Sequence, residues 1–161
     1  MKHTDSNQVF QKDLSRGRKL ENYILEICRQ KYPCATLIEG KFKGYDLFVP
    51  ETGKKLEIKG DFRSQETGNI VIELMMYDKP SALLSTEADV WVFCTGKELL
   101  WITPIKIIEC IMVNNIPSRR LTGRGDSVSK IACLVPFEVF RQYSHKIEEV
   151  SPDFLDYYLT N

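Results

Sequence analysis

Gly44-Tyr45-Asp46-Leu47-Phe48-Val49 and Lys54-Lys55-Leu56-Glu57-Ile58-Lys59 flank the short connector Pro50-Glu51-Thr52-Gly53, and Gly60-Asp61 follows. Both runs have strand composition, and Pro50 and Gly53 mark a turn between them, so the stretch reads as a hairpin. Side chains alternate faces along a strand. Leu56 and Ile58 therefore point one way, while Glu57 and Lys59 point the other, roughly 7 Å apart at about 3.3 Å per residue. The hairpin would bring Asp46 alongside Glu57. A carboxylate from each of two neighbouring strands, with an ammonium beside them, can hold a hard divalent cation through oxygen ligands. Such a cation lowers the pKa of a bound water and stabilises charge building on a phosphate. Lys59 would orient or help deprotonate the attacking water, or stabilise the developing negative charge.

An ExK triplet alone carries little information. At ordinary Glu and Lys frequencies it arises by chance roughly once in two chains of this length. This chain holds a second, Glu39-Gly40-Lys41, which is interrupted by glycine and has no preceding strand aspartate. For Glu57 and Lys59 the bland alternative is a cross-strand salt bridge. The surroundings separate the two.

Upstream, residues 13–31 carry apolar positions Leu20, Ile24, Ile27 and Cys28 at helical spacing, with Asp13 or Ser15 as a cap and Pro33 as a stop. Residues 35–39, 44–49, 54–59 and 70–76 read as strands, and 80–87 as a short helix opening at Pro80. The apolar run 88–94 suits a central strand covered on both faces. Residues 98–102 make another strand, 104–112 a helix, 131–135 a late strand and 136–143 a closing helix. Residues 114–130, rich in Asn, Ser, Arg and Gly, read as a long surface loop, and 1–12 as flexible. The order indicates one α/β domain over residues 1–161, a mixed sheet flanked by helices.

The chain has 161 residues, 43% hydrophobic and 27% charged, which fits a single globular domain. Nothing approaches the roughly 20 apolar residues of a membrane span, and residues 1–12 lack the apolar stretch of a signal peptide. A cytoplasmic location without membrane partners is the expectation. The five cysteines (Cys28, Cys34, Cys94, Cys110, Cys133) form no CxxC pattern and read as reduced core thiols. With His3 and His145 as the only histidines, a His-based nuclease, a metalloprotease or a Ser-His-Asp hydrolase is disfavoured. No GxxxxGK[ST] loop is present, so P-loop ATP hydrolysis is not indicated. Net charge is zero and neither supports nor excludes a nucleic-acid partner.

Gly44-Tyr45-Asp46 followed by Leu56-Glu57-Ile58-Lys59-Gly60-Asp61 resembles the PD-(D/E)xK nuclease superfamily of restriction enzymes, Holliday-junction resolvases and many phage nucleases. Glu66-Thr67-Gly68-Asn69-Ile70-Val71-Ile72-Glu73 is similar to a segment of its phage-encoded members. Arg16-Gly17-Arg18-Lys19-Leu20-Glu21 is similar to the resolvase-type opening helix, where a glutamate faces the metal. The resemblance covers residues 13–103; Tyr45 stands where the motif has its namesake proline. It implies a restriction-endonuclease-like fold, an αβββαβ core with a C-terminal extension, in a bacterium or a phage-infected cell. It also implies a metal-dependent nuclease, foremost a DNA endonuclease, using Mg²⁺ with Mn²⁺ able to substitute. Asp46, Glu57 and Ile58 are the expected metal ligands, and Asp46, Glu57, Lys59 and Glu21 the catalytic set.

Glu21 is in register with Ile24, Leu25 and Cys28 on the edge of the apolar helix face, with a surface ion pair as its alternative. Glu73 is a weaker candidate for the same cleft. Arg16, Lys19, Arg63, Arg119, Arg120, Arg124 and Lys130 are the expected contacts to nucleic acid, which position the backbone without reading sequence; singly, each also suits a solvated surface. Arg124-Gly125-Asp126 reads as a turn. Tyr23, Trp91, Trp101 and Tyr157-Tyr158 read as core or interface. A homodimer through residues 101–113 or the aromatic tail is compatible with cutting two strands. The competing class is a nucleic-acid-binding or assembly protein that uses this fold without cutting.

Overall fold

A computed structural model describes residues 3–40, 44–122 and 129–160. The chain opens with helix α1 (His3–Arg29), whose C-terminal half lays Leu20, Ile24, Leu25 and Cys28 against a sheet. Residues 3–12, expected to be flexible, continue this helix. Strands β1 (Thr36–Leu37), β2 (Leu47–Val49) and β3 (Lys54–Gly60) follow as an antiparallel meander. The strand expected over 35–39 shrinks to two residues. Between β2 and β3 the backbone reverses through Gly53 at φ +68°, a conformation that glycine adopts without steric cost.

From β3 the chain runs through α2 (Ser64–Thr67), β4 (Asn69–Met76), β5 (Lys79–Pro80) and the 3-10 turn η1 (Ala82–Leu84) to β6 (Val90–Cys94). The α-helix expected over 80–87 is replaced by β5 and this single turn. Pro80 instead pairs with Met75 at a sheet edge, where a residue without an N–H is tolerated. Tyr77 and Asp78, at φ +50° and +59°, make the two-residue loop between β4 and β5, which needs two positive φ values.

The rest comprises β7 (Glu98–Ile102), α3 (Pro104–Val113), β8 (Ser118–Thr122), β9 (Ser129–Pro136), α4 (Phe137–Tyr143), β10 (Lys146–Glu149) and α5 (Pro152–Leu159). The surface loop expected over 114–130 therefore contains a strand: β8 pairs with β9 from Ser118↔Cys133 to Thr122↔Ser129. Thr103 accepts from the Lys106 N–H and caps α3, with Pro104 in its first turn.

The strands form two sheets. One has six strands in the order β1-β2-β3-β6-β7-β10, and β3 and β6 are its parallel pair. The other has four strands in the order β5-β4-β9-β8, all antiparallel. The molecule is thus mixed α/β, with a mixed sheet and flanking helices. The larger sheet is covered on both faces. On one side Leu47, Leu56, Ile58 and Val92 pack with α1 and with Phe154 and Tyr158 of α5. On the other, Trp91, Phe93, Leu100 and Ile102 pack with Ile70 and Ile72 of β4, Ile107 of α3 and Phe140 of α4. Strand β6 is the hinge of this arrangement: Trp91 to Cys94 are each at most 2% exposed, as its continuous apolar run requires. No helix among the described residues is long and apolar enough to cross a membrane.

Candidate active site

The hairpin pairs Leu47 with Leu56 and Val49 with Lys54. Leu47, Val49, Leu56 and Ile58 are buried toward α1, so alternation sends Glu57 and Lys59 to the opposite face. There the Lys59 ammonium lies 2.7 Å from Glu57 Oε1, and 5.5 Å from the centre of the Trp91 ring. A cation over an aromatic face is attracted by the ring quadrupole, which limits where Lys59 settles.

Asp46 immediately precedes β2 and is only 7% exposed. Its backbone N–H donates to the Leu56 carbonyl at 2.8 Å, and its carbonyl accepts from the Ile38 N–H at 2.9 Å. Its carboxylate Oδ2 accepts from the Ile58 N–H at 2.7 Å. This is the distance of a charge-assisted bond, and it seats the Asp46 carboxylate against the Glu57–Ile58 peptide. Within an extended strand a residue's N–H and C=O point to the same side, so the Ile58 carbonyl faces Asp46 too. Asp46, Glu57 and the Ile58 carbonyl offer only oxygen donors, the ligand type that Mg²⁺ prefers. Among the described residues no group of three or more His, Cys, Asp or Glu side chains converges as a metal cluster.

Glu57 and Lys59 line a cavity of about 500 Å³. Trp91 and Phe93 of β6 continue its floor, while Val71 and Glu73 of β4 and the segment after β5 form the far wall. Asp46 lies beside this cavity rather than in its lining. The small sheet thus supplies a second wall facing the charged pair. There the Ser81 hydroxyl donates to Glu73 Oε1 at 2.5 Å, and the Lys130 ammonium stands 3.6 Å from Glu73 Oε2. Ala82, another lining residue, has φ +45°, a conformation uncommon for a residue other than glycine. Asp61 lies where β3 ends and accepts from the Val71 N–H at 3.1 Å. Burial pushes its carboxyl above the ordinary value, against the opposing pull of the Val71 and Ser64 backbone bonds and of Arg63.

Glu73, the weaker candidate in the sequence, therefore shares the cavity with Glu57 and Lys59. Glu21 does not line it. Half-buried on α1, Glu21 pairs with Arg18 at 3.2 Å, and Arg18 reaches Glu39 at 2.6 Å. Glu21 borders a separate depression with Phe10, Leu14 and Gly17.

The basic residues divide. Lys19 donates to the Tyr157 and Thr160 carbonyls at 3.0 and 2.7 Å, holding the C-terminus of α5, and Arg16 lies 5.9 Å from the Tyr158 ring. Arg63 is exposed at the start of α2, and Arg119 and Arg120 are exposed on β8. Arg120 donates to the Ser129 hydroxyl. Arg124, with the tripeptide it opens, lies outside the described residues. Four cysteines are buried, but Cys34, expected in the core, is exposed where the chain turns after α1.

Asp61 ends the motif around the ExK triplet but has no role assigned from the sequence, and Ser81 carries no sequence signal. Ser81 meets Glu73 only because the β4–β5 hairpin folds it back, which spacing alone does not show. Comparison with known proteins adds no relative: no family model, no curated protein and no solved structure matches this chain.

Proposed function

We propose that this protein is a divalent-metal-dependent nuclease of the PD-(D/E)xK type, foremost a DNA endonuclease acting in the cytoplasm of a bacterium or a phage-infected cell. The observation that carries this is the seating of the buried Asp46 carboxylate on the Ile58 N–H, directly beside the Glu57–Lys59 pair that faces the cavity. The elements support a restriction-endonuclease-like core: helix α1, the meander β1–β3, then a crossover into β6 parallel to β3. The crossover departs from a simple helical one, since α2 has only four residues and β4 spans most of the path.

Asp46 and Glu57, with the Ile58 carbonyl, would hold Mg²⁺ or Mn²⁺. When bound, such an ion supplies an acidified water and stabilises charge on a phosphate oxygen. Lys59, held between Glu57 and the Trp91 ring, places its ammonium at the cavity wall to orient the attacking water or meet developing negative charge. Glu57 then serves two partners, positioning Lys59 through Oε1 while contributing to the metal. Trp91 and Phe93 limit bulk water at the cavity floor, which strengthens these interactions.

The test is cleavage of supercoiled, linear, single-stranded and four-way-junction DNA with Mg²⁺, Mn²⁺ or EDTA, alongside Asp46→Ala, Glu57→Ala and Lys59→Ala. Metal-dependent cutting that all three variants lose is the expected result. A protein that cuts neither DNA nor RNA would instead be a nucleic-acid-binding or assembly protein. The satisfied Glu57–Lys59 ion pair favours that second reading, because it is already complete without a metal.

A further inference from the structure

Strand register in the small sheet sorts its basic residues by face. Glu73 on β4 pairs with Ala132 on β9, and Ala132 pairs with Arg119 on the edge strand β8. Register partners present their side chains on the same face, so Glu73, Ala132 and Arg119 form one row across the sheet. Val71 and Leu134 form the parallel row two residues along, and Lys130, two residues from Ala132, shares the face through its contact with Glu73. This face begins at the cavity wall, where Val71 and Glu73 stand opposite Glu57 and Lys59. Residues of the other face, Ile70, Ile72, Cys133 and Val135, are buried in the core. Arg120 pairs with Ile131 and lies on the core-side face, tied to Ser129. Arg119 has no carboxylate partner among the described residues.

We infer that the outer face of the small sheet carries a phosphodiester backbone leading away from the Glu57–Lys59 cavity, with Lys130 and Arg119 as its phosphate contacts and Arg120 excluded. The inference rests on the nuclease reading and adds the path the substrate takes. Two strand spacings separate Glu73 from Arg119, about 10 Å. Arg119 would therefore grip the backbone at a phosphate close to the bond at the cavity. Lys130 is placed nearer, above Glu73, whose charge it offsets where an anionic backbone must approach. Arg63 is exposed and close enough to Asp61, a cavity-lining residue, to act on its charge.

The experiment is equilibrium binding of a DNA duplex, and of RNA of the same length, with Ca²⁺ at one fixed concentration and monovalent salt varied. The parent is compared with Arg119→Gln, Lys130→Gln and Arg120→Gln, each checked for an unchanged melting temperature. Loss of one phosphate contact lowers the slope of log affinity against log salt by about 0.9 on duplex DNA. Arg119→Gln and Lys130→Gln should each show that reduction, with Arg120→Gln matching the parent. If the parent binds but Arg119→Gln keeps its slope, or Arg120→Gln loses as much, the inferred path is wrong and the nuclease reading is untouched. If the parent binds neither duplex nor RNA, both fall together.

Discussion

Replacing Asp46 separates what this carboxylate does for the fold from what it does in the site. In Asp46→Ala the Ile58 N–H, buried beside the hairpin, loses its acceptor at 2.7 Å. A hydrogen bond to a charged partner contributes about 1.5–3 kcal/mol, and relief of the carboxylate's own desolvation offsets part of the loss. A net cost of about 2 kcal/mol in a chain of this size corresponds to a melting temperature lower by about 4–8 °C. Asp46→Asn keeps an oxygen acceptor for the same N–H without the charge. Its bond falls to the neutral range of about 1 kcal/mol, so its loss should be near half.

The metal response should divide differently. An ion present at a hundredfold its dissociation constant stabilises the folded state by about 2.7 kcal/mol, a rise of roughly 5–11 °C. Scanning calorimetry of the parent, Asp46→Asn and Asp46→Ala in EDTA and in Mn²⁺ measures both effects. The parent should gain with Mn²⁺ and both variants should not, although Asp46→Asn melts above Asp46→Ala in EDTA. Two results would refute the reasoning. If Asp46→Asn melts as low as Asp46→Ala, the bond to Ile58 is not what the side chain contributes. If Asp46→Asn keeps the full Mn²⁺ shift, Asp46 is not a ligand.

Two further expectations follow from ionisable groups beside the site and behind it. Asp61 has its carboxyl pushed upward by burial, so its charge burdens the folded state above that raised value and the burden disappears below the ordinary 3.8. Asp61→Asn should raise the melting temperature at pH 7, with the gain narrowing as pH falls toward 3.8; a constant gain across that range would count against burial as the cause. Glu98 is shifted the other way, lowered by its bonds to Arg141 at 2.9 and 3.0 Å, which tie β7 to α4. A depressed carboxyl stabilises the fold above its unfolded value and loses that effect as pH falls. Arg141→Gln should therefore lower the melting temperature at pH 7 and match the parent once pH drops well below 4.5, as thermal scans at several pH values would show.

Much of this architecture is legible in the sequence where burial imposes a period. The helical spacing of Leu20, Ile24 and Cys28, the alternation Leu56-Glu57-Ile58-Lys59 and the apolar run of β6 each reflect a fixed relation to the core. Strand β8 escaped because Ser118-Arg119-Arg120-Leu121-Thr122 has one apolar residue and resembles a loop. An edge strand whose face meets solvent needs no more, and its charges discourage pairing with other chains. Strand β10, Lys146-Ile147-Glu148-Glu149, forms an edge of the larger sheet and escaped for the same reason. The division into two sheets depends on β4 finding β9 some sixty residues later, a pairing no local pattern records. In the site, the Asp46 and Glu57–Lys59 elements were visible because the hairpin is local. On the opposing wall Glu73 was visible only as the weaker candidate and Ser81 not at all, because the small sheet assembles that wall.

Stability gives little reason for the particular charges at this place. The Lys59 side chain is 39% exposed, and an ion pair at such a position contributes little to folding. Asp46 is worse placed for stability: a carboxylate 7% exposed costs desolvation that a well-packed apolar side chain would avoid. One structural purpose remains open to it, since its bond to the Ile58 N–H satisfies a donor just where β2 begins. That purpose requires an acceptor but not a charge, and asparagine or serine would meet it. The charge itself matters where a cation stands beside it, as Lys59 does beside Glu57. Three ionisable groups gathered where an ion pair contributes little to folding are consistent with the proposed nuclease reading. The difference between Asp46→Asn and the parent therefore isolates the functional requirement from the architectural one.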